Sequence, residues 1–179
     1  LVGVINPDTA LSSQDYRAGE RLFAQLMQVA GRAGRAGAKA GELQASEVLL
    51  QTRYPQHPLY RALLSHDYVG FAESTLAERR AAGLPPFVFQ ALLRAEARNL
   101  QDALDFLLQA RDLLPADGIM MNDPVPMTIT RVAGIERAQL LVESASRAQL
   151  QAFLKPWMQA LRQMKSRMRW SLEVDPIDI

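Results

Sequence analysis

The chain has 179 residues, 49% of them hydrophobic, which is enough apolar material for one or two buried cores. Its 20 Lys and Arg against 19 Asp and Glu leave a net charge of +1, so bulk electrostatics does not mark a nucleic-acid binder, and the lack of cysteine argues against a disulfide scaffold. No apolar run approaches the roughly 18 residues of a membrane span, and the charged-then-apolar order of a signal peptide is missing, so the cytoplasm is the expected location.

Leu1 to Ile5 is a short apolar run stopped by Asn6-Pro7-Asp8, which predicts a buried strand. Ser12 with Asp15 three positions on predicts a capping pair that opens a helix. Leu22, Phe23, Leu26, Met27 and Ala30 form its apolar face, and glycines at 31, 34, 37 and 41 end it. Glu47 to Thr52 reads as a second strand, so strand, helix and strand make the crossover unit of a parallel α/β sheet. From Tyr54 to Gly83 the pattern is helical, with Leu59, Leu63 and Leu64 in one segment. Tyr68, Phe71 and Leu76 lie in the next, behind a cap at Asp67. Gly83 is placed to terminate it and Pro85-Pro86 prevents continuation, which makes this the domain boundary.

Beyond the prolines Phe87, Phe89, Ala91, Leu93 and Ala95 alternate with Val88, Gln90, Leu92, Arg94 and Glu96, which predicts a strand. Asn99 caps a helix through Ala103, Leu104, Leu107, Leu108 and Leu114. A broken strand follows from Ile119 to Arg131, interrupted by Pro124 and Pro126, and Ala138, Leu140 and Val142 alternate in the next. Ser146 opens a helix through Leu150, Phe153, Leu154, Trp157 and Leu161, and Met168, Trp170, Leu172 and Val174 alternate in the last strand. The order is βαββαβ, that of a ferredoxin-like sandwich.

The chemistry-bearing stretch is Gln28-Val29-Ala30-Gly31-Arg32-Ala33-Gly34-Arg35. Two arginines three residues apart on a glycine-punctuated turn suit a polyphosphate. Glycine lets the backbone approach a ligand, and guanidinium groups take phosphate oxygens through forked hydrogen bonds. The plainer alternative is a helix end with two solvated arginines. No GxxxxGK[ST] loop and no DExH-type acidic motif occurs, so the chain lacks the parts that cradle phosphates and hold magnesium.

The stretch is similar to QxxGRxGR, the last motif of superfamily 2 helicases. With Leu1-Val2-Gly3-Val4-Ile5-Asn6-Pro7-Asp8, Asp15-Tyr16-Arg17-Ala18-Gly19-Glu20-Arg21, Leu50-Gln51-Thr52, Leu76-Ala77-Glu78-Arg79-Arg80, Gly83-Leu84-Pro85-Pro86-Phe87 and Val174-Asp175-Pro176, the chain resembles the primosomal replication-restart helicases. The resemblance implies a C-terminal fragment of α/β class in three parts. Residues 1–53 are the C-terminal part of a second RecA-like helicase lobe, 54–83 a helical connector, and 84–179 a ferredoxin-like, S10-like domain that binds DNA and partners.

It further implies that Arg32 and Arg35 are catalytic, reaching the γ-phosphate of ATP held on the other lobe, with Gln28, Gly31 and Gly34 on the nucleotide side. The longer protein uses ATP and Mg2+ and carries zinc on a cysteine-rich insertion upstream, while this chain alone is expected to be inactive and to bind no cofactor. The implied activity is an ATP-dependent 3′-to-5′ DNA helicase that recognises abandoned forks and initiates primosome assembly. Its partners are single-stranded and forked DNA, primosome proteins and the acidic tail of single-stranded DNA-binding protein, and no membrane.

Two further groups carry expectations. Arg162, Lys165, Arg167 and Arg169 form a basic run with no acid between them, either a solvated helix end or a contact for DNA phosphates. Arg147 and Gln151, i and i+4 at a helix start, share one face, and an arginine beside helix N–H groups suits a carboxylate. In the family this face is where the tail of single-stranded DNA-binding protein docks. His57 and His66 have no ligand cluster and are structural, and the methionines fill cores. A different class remains open: a non-enzymatic module that binds single-stranded DNA and single-stranded DNA-binding protein. A branch-migrating helicase does not account for the terminal domain.

Overall fold

A computed structural model describes residues 2–13, 15–33, 47–132, 134–166 and 168–177 as a mixed α/β protein. They form two compact units, Leu1–Glu78 and Arg79–Ile179. In the first, β1 (Val2–Ile5) pairs in parallel with β2 (Val48–Gln51), and α1 (Ala18–Ala33) lies between them in sequence. The short helices α2 (Pro58–Leu64) and α3 (Tyr68–Ala81) follow. The core joins Leu22, Phe23 and Leu26 of α1 to Leu59 and Tyr60 of α2, with Val4 and Leu50 of the strands packed against it. Phe23 stacks on Phe71 of α3, ring centroids 4.3 Å apart.

The start of α1 differs from expectation. Asp15, not Ser12, is the capping side chain: its Oδ1 accepts from Arg17 N at 2.8 Å, its Oδ2 pairs with Arg21, and the helix begins at Ala18. The end differs too, since Gly31 does not stop the helix, which continues through Ala33. Glycine only weakens a helix, and Arg32 and Ala33 are both good helix formers. Asp67 does cap α3, its Oδ1 accepting from Gly70 N at 2.8 Å.

Asp8 holds the first unit together. Its carboxylate, in the short 3-10 turn Pro7–Ala10 that follows β1, accepts from Thr52 Oγ1 at 2.5 Å, Arg53 N at 2.7 Å and Tyr60 OH at 2.8 Å. One side chain thus ties β1 to the end of β2 and to α2. The backbone N–H of Arg53, then the Thr52 hydroxyl, hold its pKa below the usual carboxylate value, against an opposing effect of burial. Burial first, and the bond to Asp8 second, push the Tyr60 phenol up to about 12.

The second unit opens on the last turn of α3, which ends in a Schellman motif. Gly83, at φ 63°, donates to Arg80 O and Leu84 N donates to Arg79 O at 2.8 Å. A cis peptide joins Pro85 to Pro86. The elements β3 (Phe89–Ala97), α4 (Leu100–Arg111), β4 (Met120–Met121), β5 (Val125–Val132), β6 (Ile135–Ser144), α5 (Arg147–Gln163) and β7 (Arg169–Val174) follow. Every pairing is antiparallel, in the order β4-β6-β3-β7 with β5 also on β6, so the first strand of the unit lies next to the last.

Alternate residues of the two central strands, Ala91, Leu93 and Ala95 on β3 and Ala138, Leu140 and Val142 on β6, turn to one face and are fully buried. Both helices pack on this face. Asn99 caps α4 by accepting from Gln101 N at 3.0 Å, and Ser146 caps α5 by accepting from Gln149 N at 3.4 Å. Pro156 sits inside α5 and removes one helical donor. The next residue, Trp157, is fully buried, and its indole Nε1–H donates to Ala110 O at 2.7 Å, in the last turn of α4.

Trp157→Phe is expected to cost about 1 to 3 kcal/mol, because the Ala110 carbonyl loses a buried donor, and Trp157→Ala about 3 to 5 kcal/mol through the cavity it leaves. Urea unfolding checks both. In the first unit the sign follows from the lowered Asp8 pKa: its stabilisation is present above the ordinary carboxylate value and is lost as pH falls through the depressed one. The Tyr60 contribution is complete below pH 10 and is lost as pH rises towards about 12. Asp8→Asn should flatten the acid limb of the melting-temperature profile, and Tyr60→Phe the alkaline limb.

Candidate functional site

Helix α1 presents its predicted chemistry on the side away from the core. Gln28 and Arg32 are i and i+4 on one exposed face, so they share a surface, although on a helix rather than on the turn expected from the glycines. Arg32 is the cation of the last turn, where it also complements the helix dipole. A Cβ at Gly31 would meet nothing within 4 Å. Packing of the described residues therefore does not require glycine there, although inside a helix glycine costs about 1 kcal/mol relative to alanine. Gly34 and Arg35 lie outside the described residues.

At the other end of the chain, Arg147 and Gln151 are exposed in the first turns of α5. Arg147 already has two intrachain contacts. Its Nη1 is 3.2 Å from Asp175 Oδ2, and its guanidinium lies over the Phe89 ring, 4.8 Å from the centroid. Neither partner is legible from spacing, because Phe89 and Asp175 lie on separate elements far apart in the chain. Asp175 is positioned by its own backbone, whose N–H donates to Gln90 O at 2.9 Å.

The basic run is divided. Arg162 lies in the last turn of α5, Lys165 follows the helix, and both are exposed. Arg169 starts β7, where its neighbours Trp170 and Leu172 pack into the core, so it projects from the opposite face of the sheet. There it is 87% exposed, with its Nε 3.5 Å from Glu96 Oε2. Arg167 is outside the described residues.

Asp8 and Asp15, upstream of the glycine-arginine stretch in sequence, make the structural contacts described above. His57 caps α2, its Nδ1 accepting from Leu59 N at 3.2 Å. A concavity of about 610 Å³ in the first unit is lined by Asp15, Glu20, His57, Arg61 and Asp67 among others, and holds none of the predicted site residues. Among the described residues no group of three or more His, Cys, Asp or Glu could hold a metal ion, and no helix is long and apolar enough to cross a membrane.

Comparison with known proteins covers both units. The family described as primosomal protein N C-terminal domain matches residues 80–177. Over its whole length the chain is 44% identical to the replication restart protein PriA of Haemophilus influenzae and covers 24% of that protein. It is likewise 35% identical to the protein of that name from Synechocystis, covering 21%, and 34% to that from Treponema pallidum, covering 27%. The chain thus spans about a quarter of the length of these relatives. With a family match over more than half the chain and an identity of 44% along all of it, the chain belongs to the PriA family of replication restart proteins.

Proposed function

We propose that the chain is the C-terminal part of an ATP-dependent 3′-to-5′ DNA helicase that recognises abandoned replication forks and initiates primosome assembly. The observation that carries this reading is similarity to replication restart proteins along the entire chain, from β1 through the Gln28–Arg32 face to the end of the second unit. In this reading residues 1–53 end a RecA-like lobe, which the parallel β1–α1–β2 crossover supports. Residues 54–83 connect it to a ferredoxin-like domain over 84–179, and the antiparallel order β4-β6-β3-β7 is the one such a sandwich has.

The nucleotide supplies a terminal phosphoanhydride whose cleavage drives movement, with Mg2+ as its counterion. Gln28, Gly31 and Arg32 fit a phosphate: a polar side chain and a guanidinium share one exposed helix face, and the glycine between them leaves room for close approach. Arg32, with Arg35, neutralises charge that builds on phosphate oxygens, which is how an arginine accelerates phosphoryl transfer. Zinc finds no thiolate in this chain, which has no cysteine, so its ligands belong to other parts of the longer protein.

On the second unit, Arg147 takes a carboxylate from the acidic tail of single-stranded DNA-binding protein, with Gln151 one turn on. Arg162, Lys165, Arg167 and Arg169 contact DNA phosphates. The tail must compete with Asp175 for Arg147, while the stack on Phe89 keeps the guanidinium in place when Asp175 is displaced.

In the longer protein Arg32→Ala is expected to lower ATPase kcat by about 10³-fold or more with little change in nucleotide affinity, since the charge acts on the transition state. Steady-state kinetics with nucleotide titration measures this, and near-normal turnover would remove Arg32 from the chemistry. Separately, Arg147→Ala is expected to weaken an acidic, carboxylate-ended peptide about tenfold. Asp175→Asn should tighten it about two- to fivefold, as exposed ion pairs contribute up to about 1 kcal/mol. Calorimetry on both variants tests the pair of signs.

A further inference from the structure

The sheet face of the second unit that lies opposite the helices carries a charge gradient. Near the end of β3, Arg137 of β6 and Arg169 of β7 flank Glu96 in register. The Arg137 and Arg169 Nε atoms lie 3.7 and 3.5 Å from its two oxygens. One carboxylate therefore serves two guanidinium groups. The next row holds Arg94 between Gln139 and Ser171. Towards the other end of β3 acids replace bases: Glu173 is opposite Leu92, and Glu143 is opposite Gln90. Arg98, directly after β3, adds an exposed cation to the basic end.

Beside this end, β5 departs from its partner. Pro126 pairs with Ala138 and Arg131 with Glu136, so residues 127–130 together oppose Arg137 alone. Thr130 Oγ1 donates to Met127 O at 3.0 Å, which closes the bulge on itself. At its crest Ile129 is 66% exposed and forms no part of the core. Bulges of this kind re-aim side chains at sheet edges. Here an apolar tip stands next to a row with surplus positive charge.

A partner that matches both features is a polyanion with apolar faces. We propose that the β5 bulge and the basic end of the sheet form one single-strand-binding edge, where Ile129 packs on an unstacked base and Arg98 and Arg169 hold the flanking phosphates. This rests on the DNA-binding reading above and extends it: it assigns Arg98 and Ile129, which the basic run does not contain, and gives Arg169 its neighbours.

The test uses the full chain with two fluorescent probes, a single-stranded oligonucleotide and an abasic strand of the same length, each titrated at several salt concentrations. Ile129→Ala is expected to weaken the oligonucleotide about three- to tenfold, from the methyl and methylene groups removed from a base, and to leave the abasic strand unchanged. Arg98→Ala should weaken both probes alike and make the slope of log K against log[salt] shallower by about 0.7, one phosphate contact. Both side chains are exposed, so neither variant removes core packing. If both variants bind like the parent while Arg162→Ala with Lys165→Ala loses binding, the edge is wrong and the DNA reading of the basic run stands. If the parent binds neither probe at low salt, both fall. An Ile129→Ala loss that is equal on the two probes would also overturn the base contact.

Discussion

The indole of Trp157 sets the geometry of the second unit. It has one donor and no exposure, so burial obliges it to find an acceptor, and it finds one in the last turn of α4, where carbonyls run out of helical partners. That single bond fixes how far α5 reaches along α4. From it follow the seating of Leu150, Leu154 and Leu161 against β3 and β6 and the presentation of the opposite side of α5 to solvent. Arg147 and Gln151 are exposed because Leu150 and Leu154 turn the other side of the helix into this packing.

The first unit relies on a different force. Its two parallel strands contribute few core side chains and leave Ile5 and Leu49 largely exposed, so its apolar contacts alone link the strands to the helices weakly. Asp8 compensates with three donors from two places in the chain, the end of β2 and helix α2. A carboxylate so fully satisfied is unsuited to proton transfer. Its three bonds hold the turn after β1 to the end of β2 and to α2.

How much of this was legible depended on range. The strands of the second unit follow from period-two alternation at Ala91, Leu93 and Ala95, the face the helices cover, although Gln90 and Leu92 on the other face are buried as well. The caps at Asn99, Ser146 and Asp67 were legible for the same reason, since donor and acceptor lie within three residues. What could not be read spans distance. The partners of Asp8 lie 44 to 52 residues away, Arg147 meets Asp175 across the unit, and the basic run is split because α5 and β7 face opposite sides of the sheet. Pro124 and Pro126 announced a broken strand but not that residues 127–130 would bulge against one arginine. At α1 the local rule failed in the other direction, as good helix formers carried the helix past Gly31.

The adjacency of β3 and β7 has a consequence for how the second unit comes into being. The central strand is made first and one of its two neighbours last, so contacts among the most distant residues of the unit must close before the sheet is complete. Loop closure on that scale slows folding relative to a fold built from neighbouring hairpins. During synthesis β3 waits with its backbone donors and acceptors bare along one edge until β7 has been made, a period in which it can pair with foreign strands. The charges that alternate along that strand, Arg94 and Glu96 on the face away from the core, interrupt an otherwise apolar stretch and so oppose such pairing during the wait.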